Sequence, residues 1–217
     1  MENINSCLTI AGWLAIVFGL TFICKKKFPN KQELSRKIIH IGSGPIIPLA
    51  WWLDISRELS IVIASIITVT LLINHRIRLI ASIEDIQRQS IGTIAYGLSI
   101  TLLLICFWPN HAASVTAGIL VMAFGDGFAG LIGREVKSKK WHILGQQKSF
   151  AGTLTMFLVG GSVLIVISLI TSQPFEPLNL FIISCLAVLL EQISWWGIDN
   201  LTVPIGVALS WRWLLGV

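Results

Sequence analysis

The sequence predicts an all-α bundle of transmembrane helices, with about seven spanning segments and a shorter eighth at the C-terminal end. Three observations carry this. Of the 217 residues, 54% are hydrophobic and 12% charged, and the mean hydropathy is +0.80; a soluble domain carries about 25% charged residues. Apolar runs recur along the chain at lengths near the roughly 20 residues that a spanning helix requires. The basic residues gather on alternate connections between those runs.

In order, the runs are 7–24, 38–53, 59–74, 91–109, 112–133, 150–172 and 178–198, with a shorter one, partial or re-entrant, at 201–217. The first is preceded by Glu2 and followed by Lys25, Lys26 and Lys27. It therefore reads as a retained span with its N-terminus outside, not as a cleaved signal peptide. The connection 25–37 also holds Lys31, Arg36 and Lys37; 75–90 holds Arg76, Arg78 and Arg88; 134–149 holds Arg134, Lys137, Lys139, Lys140 and Lys148. These connections carry 14 of the 16 Lys and Arg residues. Lys and Arg are retained on the cytoplasmic side, so all three are expected to face the cytoplasm.

Within 75–90, Ile77, Ile80, Ile83 and Ile86 recur every three residues, with Arg78, Glu84, Asp85 and Arg88 between them. That pattern suits an amphipathic helix lying at the interface. No internal repeat, low-complexity tract or linker interrupts the chain, so residues 1–217 read as one domain. Topology accounts for the net charge of +5, which excludes a nucleic-acid-binding reading. Cys7, Cys24, Cys106 and Cys185 lie in or beside apolar runs, without CxxC or histidine at ligand spacing, and read as inert thiols.

A charge in mid-membrane costs at least ~2.5–3.5 kcal/mol and is a functional candidate by default. Asp126 lies inside the run 112–133, and Glu191 and Asp199 follow eight residues apart near the end of the last long run. If helical, that spacing sets both on roughly one face. His40 follows Arg36 by four and Lys37 by three, so the three side chains converge at the cytoplasmic mouth of the second run. The structural alternatives are helix-pairing ion pairs for Asp126 and Glu191, and a helix cap for Asp199 and Asn200.

Gly125, Gly127 and Gly130 spell GxGxxG, but no strand precedes them and no βαβ unit surrounds them. Their expected role is close approach, of helix to helix or of backbone to ligand. No P-loop motif occurs. Lys148, Ser149, Gly152 and Thr153 open an apolar helix directly after a basic loop. Such a start suits a phosphate, or equally an ordinary serine cap. A carboxylate able to hold Mg²⁺, facing a cationic phosphate cradle, is the minimum that phosphoryl transfer requires.

Taken together, the motifs resemble the CTP-dependent polyprenol kinase family of phytol, farnesol and dolichol kinases. Arg36-Lys37-Ile38-Ile39-His40 is similar to the family's RKxxHxxxG opening, with the family glycine at Gly44 and Gly42 extra. Arg88, Ser90, Gly92 and Tyr96 fall in a segment similar to the one after the interfacial loop of phytol kinases. Gly125-Asp126 with Ala129 and Gly133 resembles GDxxAxxxG, and Lys148-Ser149 with Gly152-Thr153 resembles KSxxGT. Glu191, Asp199-Asn200 and Pro204 resemble the C-terminal E…DN…P pattern. The five matches span residues 36–204 in the family's order, and the short chain favours the phytol kinase branch over the much longer dolichol kinases.

The resemblance implies transfer of the γ-phosphoryl of CTP, or of UTP, to phytol or a similar prenol. In that reading Lys148, Ser149, Gly152, Thr153, Gly125, Gly127, Lys137, Lys139 and Lys140 bind nucleotide. Asp126 holds Mg²⁺ or orients the hydroxyl. Arg36, Lys37 and His40 steady the transferred group, and Glu191 or Asp199 is a second metal ligand or base. Arg88, Ser90, Tyr96 and Asn200 support substrate or structure. The setting implied is a bacterial inner membrane or a photosynthetic membrane, as tocopherol biosynthesis requires. A CTP-dependent diacylglycerol kinase, a phosphatidate cytidylyltransferase and, outside enzymes, a small-solute transporter are the rival functions. The paired repeats and broken helices of a transporter are not evident in the sequence.

Overall fold

Residues 2–77, 91–171 and 176–216 are described by the structure, a computed structural model. Ten α-helices and one short hairpin make up the described chain. They are α1 (Glu2–Lys27), α2 (Gln32–Ser43), α3 (Ile46–Trp52), α4 (Arg57–Ile77), α5 (Gly92–Phe107), α6 (Ala112–Leu120), α7 (Gly127–Glu135), α8 (Phe150–Ile170), α9 (Pro177–Gln192) and α10 (Asp199–Leu215). A π-helical stretch, Val121–Asp126, joins α6 to α7 into one continuous rod. Among the described residues, four helical rods are long and apolar enough to cross a membrane: Ile4–Lys27, Arg57–Ile77, Ala112–Glu135 and Phe150–Ile170. α5 and α9 are apolar but shorter, at 16 residues each.

The expected apolar runs coincide with these rods, and the exceptions have local causes. The second run is broken where α2 gives way to α3 at Gly44-Pro45. Proline cannot donate its backbone nitrogen, and its ring crowds the carbonyl four residues back. The eighth segment is a single helix, α10, which runs 17 residues against α5, α6 and α9, with Val203, Val207, Ala208 and Trp211 fully buried. It comes so close to α6 that a Cβ on Gly118 would lie 2.3 Å from the Pro204 carbonyl oxygen.

Burial is uneven. α6 and α10 form the core, whereas α1 and α4 turn Phe22, Ile23, Ile66 and Val69 outward. Such apolar outer faces fit a membrane protein. Of the proposed interfacial helix, residues 75–77 are the last turn of α4. The rest of it, with Arg88 and Ser90, lies outside the described residues.

The basic loop 134–149 contains the one departure from an all-α chain. Its strands β1 (Lys140–Ile143) and β2 (Gln146–Ser149) pair antiparallel, Ile143 opposite Gln146. Leu144 and Gly145 form the two-residue turn, both at positive φ, 49° and 75°. Positive φ at both positions is what a type I′ hairpin turn requires.

Candidate active site

A chamber of about 750 Å³ opens at the end of the bundle where the basic loops lie. The starts of α2, α8 and α10, the ends of α7 and α9, and the β-hairpin contribute to its walls. Asp126, Glu191 and Asp199 form its acidic centre, each with a carboxylate oxygen within 4.8 Å of the others'. Arg36, Arg134, Lys140 and Lys148 line the same space.

Each carboxylate arrives by a different local route. Asp126 ends the π-helical stretch, whose wider turn shifts the register of everything after it relative to a regular α-helix. Glu191 occupies the last turn of α9, and Asp199 is the first residue of α10. The expectation that one helix carries both of these is corrected. Residues 193–198 reverse the chain, through Trp196 at φ 53° and Gly197 at φ 84°, so the pair converges across a turn. Ser194, which is buried, caps that turn by accepting from the Asp199 N–H at 2.6 Å.

Two lysines neutralise two of the three acids. Lys37, only 5% exposed, donates to the Asp126 carboxylate at 2.6 Å and to its carbonyl oxygen at 3.1 Å. His40 Nε2 is 3.3 Å from the Met122 carbonyl oxygen and 3.5 Å from Asp126 Oδ2. Lys148 pairs with the Glu191 carboxylate and donates to its carbonyl oxygen at 2.8 Å. Gln192 donates to Glu191 Oε2 at 2.8 Å and to Thr153 Oγ1 at 2.9 Å, while its own oxygen accepts from Trp141 at 3.1 Å. Asp199 has no lysine or arginine ion-pair partner among the described residues.

Arg36 does not join Lys37 and His40 at Asp126. It donates to Glu33 at 2.6 Å, with Arg134 3.5 Å from the same oxygen. Burial alone would raise the Glu33 carboxyl, but the guanidinium of Arg36, helped by Arg134 and Lys37, holds it below its ordinary value.

Several expected nucleotide contacts are occupied from within the protein. At the start of α8, the Phe150 N–H donates to the Lys139 carbonyl at 2.9 Å, Ala151 N–H to Ser138 Oγ at 3.2 Å, and Gly152 N–H to Ser149 Oγ at 3.2 Å. Ser149 Oγ also donates to the Gly133 carbonyl at 3.1 Å. The serine cap is thus formed, and Lys148, Ser149, Gly152 and Thr153 also line the chamber. Gly125 and Gly127 are helix-packing residues outside the chamber wall: added Cβ atoms would meet Met156 Sδ at 2.7 Å and Ile41 Cγ1 at 2.4 Å. Lys140 lines the chamber, whereas Lys137 and Lys139 do not. Asn200 lines the chamber and also a smaller hollow next to it, where it is joined by Tyr96 and Asp126.

Glu33, Gln192, Ser194 and the hairpin residues Gln146 and Gln147 were not singled out in the sequence. A polar side chain at the end of an apolar run, as at Gln192, was the available signal.

Comparison with known proteins bears on this chamber. The chain is 34% identical to phytol kinase from Synechocystis sp., with 97% of each chain covered. It belongs to the polyprenol kinase family, on its phytol kinase branch. Another member of the polyprenol kinase family, the chloroplastic farnesol kinase of Arabidopsis thaliana, is 30% identical over 82% of this chain and 64% of its own. Phytol kinase 1, chloroplastic, of the same plant is 27% identical over 70% of this chain. The matched part is about half of that plant kinase's length, at 53%. No family model matches the chain, and no solved structure matches it.

Proposed function

We propose that the chain transfers the γ-phosphoryl group of CTP to the hydroxyl of phytol or a similar prenol, with the lipid tail remaining in the bilayer. Membership of the polyprenol kinase family makes it a kinase acting on a prenol alcohol, and a kinase needs a nucleotide phosphate donor. Phytol, CTP and Mg²⁺ are the finer reading. Mg²⁺ and phosphoryl transfer are supported by the convergence of three carboxylates within 4.8 Å, inside a chamber lined by Arg36, Arg134 and Lys140; phytol is supported by the similarity to the Synechocystis phytol kinase and CTP by the motif resemblance.

The donor set fits Mg²⁺. All three groups are carboxylates, the oxygen ligands a hard divalent cation takes. Set against Lys37 and Lys148, they keep one uncompensated negative charge. Mg²⁺ bound by Asp126, Glu191 and Asp199 would neutralise charge on the β- and γ-phosphate oxygens.

The protein's own groups do the rest by position and charge. Arg36, Arg134 and Lys140 hold the outer phosphates. Lys37 and Lys148, fixed on the carboxylates, carry positive charge at the transferred group, and Gln192 keeps Glu191 from turning away. The alcohol oxygen bonds to the γ-phosphorus as the bond to the β,γ-bridging oxygen breaks. CDP leaves with that electron pair, and the hydroxyl proton passes to Asp199, the carboxylate of the three that no lysine holds among the described residues. Embedding the enzyme spares the tail its transfer to water, which costs ~0.8 kcal/mol per CH₂.

The test is a phosphotransfer assay in nanodiscs with γ-labelled nucleotides and Mg²⁺. Label from CTP is expected on phytyl monophosphate, with CDP as co-product. Label on diacylglycerol but on no prenol would replace the acceptor. Pyrophosphate from phosphatidate and CTP would make the protein a cytidylyltransferase. Saturable flux of a small solute without any nucleotide turnover would make it a transporter.

A further inference from the structure

We propose that a hollow of about 70 Å³ between α2, α5 and the start of α10 receives the hydroxymethyl end of the prenol, bound by Tyr96 and Asn200. This rests on the kinase reading and adds to it the place and the partners of the acceptor. The hollow shares Arg36, Lys37, Asp126 and Asn200 with the large chamber. It continues past them to His40, Ser43 and Tyr96. A hydroxyl seated there and a phosphate in the chamber share Asp126 as a neighbour, and direct transfer needs acceptor and donor that close.

Two buried polar atoms point to a ligand. Tyr96 Oη and Asn200 Oδ1 find no hydrogen-bond partner among the described residues, although their residues are 9% and 8% exposed. Ser43, the nearest hydroxyl to Tyr96, gives its proton to the His40 carbonyl at 2.9 Å, so it can offer the phenol an acceptor at most, and Asn200 Oδ1 has no donor among the described residues. A buried polar atom left unpaired costs ~1–3 kcal/mol, so two at one small hollow call for an explanation. The phenol offers a donor and the amide oxygen an acceptor. An alcohol hydroxyl is an acceptor and a donor, and would satisfy both.

The hollow is narrow beside the chamber, about 70 Å³ against about 750 Å³. A hydroxyl whose next carbon is unbranched, as in a prenol, asks less room there than one flanked by an ester, as in diacylglycerol. α2 and α5 are not packed along their lengths among the described residues, and the tail is proposed to leave between them. They meet through the rings of His40 and Tyr96, whose centroids are 4.8 Å apart. Ile39 supplies an apolar wall on the same side.

The test combines kinetics with labelling that does not depend on turnover. Tyr96→Phe keeps the ring against His40 and removes the hydroxyl. Thr93→Leu fills the hollow from α5. Both are expected to raise KM for phytol, by about tenfold for Tyr96→Phe, the worth of one hydrogen bond, while KM for the nucleotide stays within about twofold. A phytol analogue carrying a diazirine beside the hydroxyl should crosslink wild-type peptides spanning 36–43 or 92–96, and excess phytol should suppress the adduct. An unchanged prenol KM in both variants, or adducts confined to other parts of the bundle, would overturn the assignment and leave the kinase reading standing. A wild-type protein that phosphorylates no prenol would remove the kinase reading instead, and this inference with it.

Discussion

Lys37 grips Asp126 twice, by its carboxylate at 2.6 Å and by its backbone carbonyl at 3.1 Å, and so fixes α2 to the junction of the π-helical stretch and α7. A Cβ on Gly130 would lie 2.6 Å from Lys37 Cε, so the lysine stem is held as firmly as its head. The contact is therefore structural as well as chemical, and the two roles separate by experiment. Asp126→Asn leaves a buried cation unpaired, at about 3–5 kcal/mol, and is expected to lower the melting temperature and abolish turnover. Adding Lys37→Met removes the orphaned charge. The double variant should recover most of the thermal stability and none of the activity. Recovery of both would reduce Asp126 to a helix-pairing residue.

Lys148 presents the same question at Glu191. Lys148→Ala leaves Glu191 without its cation in a site where it is 8% exposed. The carboxylate loses its fixed orientation, and a bound phosphate loses a positive partner at a low-dielectric boundary. The expected result is a fall in kcat/KM for the nucleotide of at least about a hundredfold, from ~3 kcal/mol, with KM for the prenol little changed. Equal effects on both substrates would mean that the variant perturbs the bundle rather than the nucleotide chamber.

The glycines of the GxGxxG run act through packing. Gly127→Ala sets a methyl 2.4 Å from Ile41 Cγ1, and Gly118→Ala sets one 2.3 Å from the Pro204 backbone oxygen. A side chain can move aside but a buried helix backbone cannot. Gly118→Ala should therefore cost more, at the upper end of the ~1–3 kcal/mol of overpacking, than Gly127→Ala. Melting temperatures in one detergent decide the order. A larger loss for Gly127→Ala would contradict it.

Membrane orientation follows from the charge on the loops. In a background without native cysteines, Lys139→Cys, in the basic loop, and Asn110→Cys, between α5 and α6, should react with an impermeant thiol reagent from opposite faces of sealed vesicles. The two exposed positions lie at opposite ends of the rod Ala112–Glu135. Labelling of both from one face would break the positive-inside assignment and move the chamber away from the cytosolic nucleotide.

What was legible in the sequence is what a bilayer would demand of every residue in a span. Uniform apolarity marked the rods, and a lone acid in such a run marked Asp126. Features made by backbone geometry left little trace. The π-helical stretch Val121–Asp126 has the same apolar composition as the helix before it. Leu144 at φ 49° is an unusual choice for a turn that favours Asn or Asp there, so the hairpin gave no turn signal. The approach of Glu191 to Asp199 depends on Trp196 and Gly197 reversing the chain, which no helical periodicity encodes. At the start of α8, one pattern of residues served equally for a cap and for a phosphate cradle. The partners of Phe150, Ala151 and Gly152 show the cap, which the residue types alone did not single out.

Metal dependence gives the last prediction, and Asp199 is the residue that isolates it. Asp126 and Glu191 each hold a lysine, so removing either charge disturbs an ion pair as well as a cation site. Asp199 has no such lysine among the described residues, and its Oδ1 accepts only the Asn200 N–H at 3.1 Å. Asp199→Asn should therefore leave thermal stability nearly unchanged while it weakens the cation. Turnover should vanish in EDTA and return with Mg²⁺ or Mn²⁺. In the variant, the Mn²⁺ concentration for half-maximal activity should rise at least about tenfold, as expected when one charged ligand of three is lost. Direct titration of Mn²⁺ into the nucleotide-free protein, followed by electron paramagnetic resonance, gives the same comparison without turnover. An unchanged Mn²⁺ affinity in Asp199→Asn would take Asp199 out of the cation site and leave Asp126 and Glu191 as its remaining carboxylates.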